Sequence, residues 1–356
     1  MEDRIRRLAE KLPEGTDAAL ITSGVNRRYY TGMKSTAGLL FLTRDAAYFI
    51  IDFRYIEAAR RGVRGAEVLL QEKLGEQLSG LAKRHGVKTI AVEAEYMTIG
   101  EFLRYQTLLP GCELQFTGAF SELVRSQRIY KSPGEIEKLR TAQEIADHAF
   151  ADILDIIRPG ISEREIALEL DSRCRRYGGE GASFDTIAVS GPNTAMPHGM
   201  PGERKVQPGD FITMDFGTLY DGYCSDMTRT VAAGKVTQGM KRVYETVLAA
   251  QKAAMEIIRP GARCSDVDRA ARGLIGSAGY EGCFGHGLGH SLGLEIHEEP
   301  RFSPGDGTLL EPGMVLSVEP GVYLEGKFGC RIEDVVVITK DGFENLAKSP
   351  KELIEL

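Results

Sequence analysis

The sequence predicts an α+β protein in two domains: an α/β domain over residues 1–127, and a larger domain over 128–356 built from two related halves. Three observations carry that expectation. Strand-like and helix-like segments alternate through the first 125 or so residues. The string IIRPG occurs twice, at 156–160 and 257–261, and each copy precedes a matching series of carboxylates and a histidine. An Asp221-Gly222 hairpin then places two aspartates on one face of a strand pair. A self-similar period of about 100 residues in two copies is too long for a solenoid unit, so the copies read as halves of one domain related by a pseudo-twofold.

In chain order, residues 1–12 (MEDRIRRLAEKL) form an amphipathic helix without the apolar core of a signal peptide. Strands follow at 18–22, 38–42, 47–51, 67–70 and 89–93, with helices at 54–61 and 74–85 between them. His85 stands alone at a helix end, where the terminal carbonyls account for it. The boundary falls within 125–131. Ser132, Pro133 and Glu135 then form a helix start, with a capping serine, proline at the first helical position and glutamate three residues after the cap. Leu139, Ala142, Ala146, Ala149, Phe150, Ile153 and Ile157 continue at helical spacing up to the first RPG. Ser162 and Glu165 repeat the capping pattern and open a second helix. The second half follows suit, with a helix over 239–258, the same RPG stop, and a new start at 265–268. Each half is therefore two helices followed by strands.

The two RPG glycines serve as origins for counting. Gly209 lies 49 residues past Gly160 and Gly313 lies 52 past Gly261; six further on are Asp215 and Glu319. Asp226 follows the first after eleven residues, and Glu333 follows the second after fourteen. With Asp221-Gly222 as a two-residue turn, Asp215 faces Thr228 and Asp226 is its diagonal neighbour on the same face. An acidic residue in a strand ordinarily faces water. Here the neighbours are apolar or β-prone in both halves, and buried like charges must be neutralised by protons or by cations. A metal centre follows. His286, His290 and His297 crowd into twelve residues of GHGLGHSLGLEIHEEP. Many carboxylates with one imidazole suit Mn²⁺, Fe²⁺, Co²⁺ or Zn²⁺, and four acids exceed the needs of a single ion.

A net charge of −7 argues against nucleic acid or an anionic membrane surface as the main partner. No run approaches the roughly 18 apolar residues of a membrane span. Six cysteines without paired spacing read as free thiols, which suits the cytoplasm.

From about residue 131 onward the chain resembles the pita-bread metallopeptidases, and its pairing with an α/β creatinase-like amino-terminal domain resembles their Xaa-Pro aminopeptidase and prolidase branch. The resemblance spans essentially the whole chain. It implies a catalytic domain of duplicated ααβ-type halves and two divalent ions, Mn²⁺ foremost with Co²⁺, Zn²⁺ or Fe²⁺ as alternatives. The implied ligands are Asp215, Asp226, His290, Glu319 and Glu333. It also implies catalytic roles for His198, in AMPHG, for His297, for Arg331 in GCRIED, and for Glu319 as general base and then acid. His286 matches an outer histidine. Arg331 has a second role open to it, as a partner for surplus carboxylate charge. Glu295 and Glu298 read as solvated or structural, and Tyr323 as core packing beside the pocket. The implied substrate is a peptide or dipeptide with proline second, and the implied assembly a homodimer.

Two rivals remain inside the fold. A methionine aminopeptidase shares the ligand set but usually lacks so large an amino-terminal domain; a catalytically silent binding protein would be expected to have lost ligands. A creatine amidinohydrolase works without metal and lacks the five-residue set. Arg301 and Arg331 are both candidate partners for the carboxylate of a dipeptide.

Overall fold

In the computed structural model, which describes residues 2–356, the chain divides after Arg128. The first unit contains α1 (Glu2–Glu10), β1 (Ala18–Ile21), α2 (Gly24–Thr31), β2 (Leu39–Thr43), β3 (Ala47–Ile51), α3 (Ile56–Gly62), β4 (Glu67–Leu70), α4 (Leu74–Arg84), β5 (Thr89–Val92), α5 (Ile99–Leu108), β6 (Glu113–Gln115) and α6 (Gly118–Ile129). Its six strands form one sheet in the order β4-β3-β2-β1-β5-β6, with β2 antiparallel to both neighbours and the other pairs parallel. The five expected strands are present within a residue or two. The three-residue β6 carries too little pattern to be seen in sequence, and α2 announces itself only by Ser23, whose hydroxyl accepts from the Asn26 N–H. His85 caps α4, but its ring pairs with the Tyr48 hydroxyl at 2.8 Å rather than with helix carbonyls.

The second unit opens with α7 (Pro133–Ile153), α8 (Glu163–Arg176), β7 (Ile187–Ser190), β8 (Phe211–Phe216), β9 (Leu219–Tyr220), β10 (Tyr223–Cys224) and β11 (Met227–Ala232). Its second half comprises α9 (Gln238–Ile257), α10 (Cys264–Ile275), β12 (Gly289–Ser291), β13 (Glu298–Phe302), β14 (Val315–Val318), β15 (Gly321–Leu324), β16 (Phe328–Arg331), β17 (Asp334–Ile338) and β18 (Phe343–Asn345). Both capping boxes of the first half form, Ser132 with Glu135 and Ser162 with Glu165. The second half departs from that pattern. α10 starts one residue before Ser265 with Arg263 as its cap, because the Cys264 and Ser265 amides already donate to the backbone carbonyls of Thr308 and Asp306. A side-chain cap has nothing left to satisfy there.

Asp221 and Gly222 take φ of 43° and 78°, the left-handed pair that a tight hairpin requires. Pairing runs from Tyr220 with Tyr223 through Phe216 with Met227 to Asp215 with Thr228, the register expected from that turn. In the second half β14 pairs with β17 so that Val318 faces Asp334, which leaves Glu319 and Glu333 side by side just beyond the paired ends. Helices α7 and α8 pack on β7, β8 and β11 through Ile153, Ile166, Leu170, Met214 and Val231. Helices α9 and α10 pack on the five-stranded sheet β13-β12-β14-β17-β18 through Val247, Val267, Leu316 and Val336.

The halves are stitched where β11 meets the chain entering β17. The Glu333 amide donates to the Thr228 carbonyl at 3.1 Å, and the Thr230 hydroxyl donates to the Arg331 carbonyl at 2.9 Å. Beside them Arg229 pairs with Asp334 at 2.7 Å, both side chains at most 1% exposed, and Lys351 reaches the other Asp334 oxygen at 2.6 Å. Among the described residues, no helix is long and apolar enough to cross a membrane.

Removing one partner of a buried pair strands the other charge at a cost of about 3–5 kcal/mol. Asp334→Ala should therefore lower the thermal unfolding temperature by several degrees, measured by calorimetry, while a surface change such as Glu57→Ala should leave it in place. An unchanged midpoint for Asp334→Ala would refute the stitching role.

Candidate metal centre

Four carboxylates arrive at one point because strand ends from both halves aim at it. Asp215 is on β8, Asp226 enters β11, Glu319 leaves β14 and Glu333 enters β17. Carboxylate oxygens of Asp215, Asp226 and Glu333 lie within 4.8 Å of one another. His290, on β12, brings its Nε2 to 3.4 Å from Glu319 Oε1 and 3.7 Å from Asp226 Oδ2. The five sequence-predicted ligands thus converge. They line a cleft of about 640 Å³ together with His198, His297, Arg301 and Arg331, a size that suits a small peptide.

The His290 tautomer follows from its partner. Nδ1 lies 3.1 Å from the Ser291 carbonyl, which can only accept, so Nδ1 holds the proton and Nε2 presents its lone pair to the acids. The backbone there is tight. A Cβ on Gly289 would come within 2.1 Å of the Ser317 carbonyl, so only glycine allows His290 this close to β14. Ser317 also receives the His290 amide at 3.0 Å and donates to Glu319 Oε1 at 3.1 Å, tying the two side chains together.

Arg331, 3% exposed, places one guanidinium nitrogen 2.6 Å from Asp215 Oδ2. Its other donors reach Thr228 Oγ1 at 3.1 Å, the Tyr323 hydroxyl at 2.8 Å and the Pro197 carbonyl at 3.2 Å. The neutralising role is therefore the one its contacts display. Burial works against the cation, yet the Tyr323 hydroxyl, Asp215 and Glu319 keep it charged. Thr228 donates in turn to Glu333 Oε2 at 2.7 Å. His286 stays outside the acid cluster: its Nδ1 faces the Gly287 carbonyl at 2.8 Å and its Nε2 accepts from Tyr323 at 2.9 Å. Tyr323 is thus a hydrogen-bonding hub and not mere packing.

The donor set fits divalent cations on an observation independent of residue type. Asp215 Oδ1 and Glu333 Oε1 are buried without a hydrogen-bond partner, a costly condition for carboxylate oxygens that a cation would relieve. Burial, then repulsion from neighbouring acids, pushes Asp226 and Glu333 well above the ordinary carboxylate range, and burial raises Glu319 to about 8 against the opposing pull of Arg331. Burial and the neighbouring His297 lower His290 to about 4, which keeps it neutral and able to ligate.

His198 and His297 are exposed at the mouth of the same cleft, with the His297 ring edge-on to His290 at 4.4 Å. Glu298 is not solvated: it pairs with Lys131 at 3.2 Å, both side chains under 8% exposed, and Lys131 also reaches Ser291 Oγ at 3.1 Å. Lys131, Ser317 and the Tyr323 hydroxyl are contributors without a sequence signal of their own. Thr228 alone was within reach, as the residue facing Asp215 across the hairpin. All six cysteines are free.

Two family models match the chain: metallopeptidase family M24 over residues 137–340, and the creatinase/prolidase N-terminal domain over residues 4–130. A peptidase of Bacillus subtilis, itself uncharacterized, is 41% identical over 99% of both chains. Among solved structures, an Xaa-Pro dipeptidase from Bacillus anthracis superposes with a TM-score of 0.95 at 39% identity, covering 100% of this chain and 99% of that one. An X-Pro aminopeptidase from Thermotoga maritima does so with a TM-score of 0.93 at 35% identity, covering 99% and 100%.

The acid cluster makes stability depend on pH in a definite direction. Glu319 rises from an ordinary 4.5 to about 8 when folded without metal, so its contribution is present at low pH and is lost as pH rises toward 8. His290, ordinarily near 6.5, is depressed to about 4, so it opposes that trend only below about pH 6.5. Between pH 6.5 and 8, chelated protein should lose on the order of 2 kcal/mol at 1.36 kcal/mol per unit. The gain in unfolding temperature on adding Mn²⁺ should widen over the same interval. A gain that is constant or shrinks with pH would show that the carboxylates do not bind the ion.

Proposed function

The chain belongs to metallopeptidase family M24, and on that premise we propose that it hydrolyses the Xaa-Pro bond of dipeptides, using two divalent ions held by Asp215, Asp226, His290, Glu319 and Glu333. The observation that carries the proposal is the convergence of these five side chains, two with orphaned buried oxygens, on a cleft that also holds Arg301. Mn²⁺ is the proposed native ion, and a cytoplasmic homodimer the proposed state; the free thiols favour a reducing compartment.

Bound divalent ions supply Lewis acidity and lower the pKa of water. The protein's own groups do the rest. Glu319 is buried, hydrogen-bonded by Ser317 and placed beside His290, so it can take a proton from the attacking water and deliver it to the leaving nitrogen. His198 and His297, both lining the cleft, are assigned the role of donating to the carbonyl oxygen as charge develops there, a contribution of about 3 kcal/mol for a well-aimed donor. Arg331 holds Asp215 in one orientation.

Dipeptidase activity is favoured by Arg301. Its side chain is about half exposed, lies beside Glu299 at 3.2 Å and lines the cleft, which supports a role in pairing with a substrate carboxylate. An aminopeptidase acting on longer peptides is the second reading, supported by the similarity to the Thermotoga maritima enzyme.

Purified protein with Mn²⁺ should cleave an Xaa-Pro dipeptide faster than the matching Xaa-Pro-Yaa tripeptide; the reverse ranking selects the aminopeptidase, and cleavage of neither rejects the family activity for this chain. Glu319→Gln should lower kcat by about 10³-fold or more, within the range for loss of a general acid–base. Arg301→Ala should raise KM for the dipeptide about tenfold, as for one lost charge-assisted contact, and leave the tripeptide unaffected. Sedimentation of the intact protein tests the dimer.

A further inference from the structure

His198 is displayed by an irregular segment, residues 191–202, that joins β7 toward β8 and contains only a short 3-10 turn at Gly191–Ala195. Met196, His198 and Met200 on it are all exposed. A loop of this kind would ordinarily move freely. Its two ends are nevertheless gripped by one side chain. Glu163, at the first turn of α8 and 0% exposed, accepts at Oε1 from the Ser190 amide at 2.7 Å, the Ser190 hydroxyl at 2.9 Å and Asn193 Nδ2 at 2.9 Å. Its Oε2 accepts from the Gly202 amide at 3.1 Å.

All four of these donors are neutral. The nearby guanidinium of Arg204 pairs with Asp210 at 2.6 Å and donates to Ser190 Oγ at 2.6 Å, backing the serine and not the glutamate. A buried carboxylate satisfied by amides and a hydroxyl at the start of a helix is stable there, and an apolar residue in its place would leave those donors without an acceptor. What the carboxylate adds is a fixed distance between Ser190 and Gly202. The far side of the loop is docked as well: Thr194 Oγ1 receives the Gly329 amide at 2.8 Å, and the Pro197 carbonyl receives Arg331.

The second half contains a counterpart. Asp268, buried on α10, accepts from the Leu288 amide at 3.1 Å and from two nitrogens of Arg272 at 2.8 and 2.7 Å. Arg272 donates to the carbonyls of Phe284 and His286 at 2.8 and 2.7 Å. Each half thus mounts a histidine-bearing loop on a buried acid of its second helix.

We infer that Glu163 is a positioning residue, which acts by clamping both ends of the 190–202 loop so that His198 is held at the cleft. The inference rests on the proposed role of His198 in Xaa-Pro hydrolysis. A misplacement of a reacting group by about 1 Å can cost about 100-fold in rate.

The test compares Glu163→Gln, His198→Ala and the double variant in the full-length, Mn²⁺-loaded protein. Glutamine keeps the volume, but its amide nitrogen cannot accept, so at least one donor is left unmet. Glu163→Gln should lower kcat about 10- to 100-fold with little change in KM, and the double variant should fall no further than His198→Ala alone. Losses that multiply, or full activity in Glu163→Gln, overturn the inference. Amide hydrogen exchange supplies a readout independent of turnover: protection at Ser190 and Gly202 should fall in Glu163→Gln while the β14 and β17 amides keep theirs. Unchanged exchange at those two positions overturns the inference even if no Xaa-Pro peptide is cleaved; lost protection supports the clamp even if the proposed substrate is wrong. Should Glu163→Gln fail to fold, Asn193→Ala removes a single donor, and the same loss of protection, in milder form, is expected at 190–202; its absence is a refutation.

Discussion

Everything in the larger unit is arranged around a charge problem. Asp215, Asp226, Glu319 and Glu333 bring four carboxylates into one cleft, where the adjacent guanidinium of Arg331 offsets only one of them. Three negative charges are left over on side chains that are wholly or largely buried, and protons or cations must make up the difference. The local architecture serves that requirement. Thr228 and Ser317 each engage an oxygen, Arg331 takes another, and two oxygens are left bare. A fully satisfied network would be more stable without metal and of no use with it.

The pseudo-twofold explains why the site could be read so far from sequence alone. Period-2 alternation and a two-residue turn determine register arithmetically, so a hairpin centred on Asp221 and Gly222 had to set Asp215 opposite Thr228. The repeated RPG string does similar work over longer distance, because each copy lies just past the end of a helix and at nearly the same remove from its acidic pair. Capping boxes at Ser132 and Ser162 were equally plain, since all their partners lie within three residues.

What escaped has a common physical cause: it depends on partners far away in the chain. Ser265 resembles a cap until the 306–308 segment supplies carbonyls to the Cys264 and Ser265 amides and draws both residues into the first turn. Glu298 has nothing local to decide between a solvated and a structural role until Lys131, 167 residues earlier, is folded against it. Tyr323 resembles packing until its hydroxyl is found between His286 and Arg331. Glu163 has only its place beside a capping serine to recommend it, and its four donors lie 27 to 39 residues away. Short-range chemistry writes itself into local pattern; long-range satisfaction does not.

The stitching of β11 to the entry of β17 also decides where the charge resides. Thr228 and Glu333 are 105 residues apart, and neither half contains more than part of the acid cluster. The hairpins and helix pairs join residues near in sequence, whereas the join between the halves brings together residues far apart in the chain. Asp215 and Asp226 share one hairpin, but only that join sets them against Glu319 and Glu333. The full concentration of negative charge therefore exists only in a chain whose halves have paired in register, so the capacity to attract cations belongs to that pairing and to neither half alone.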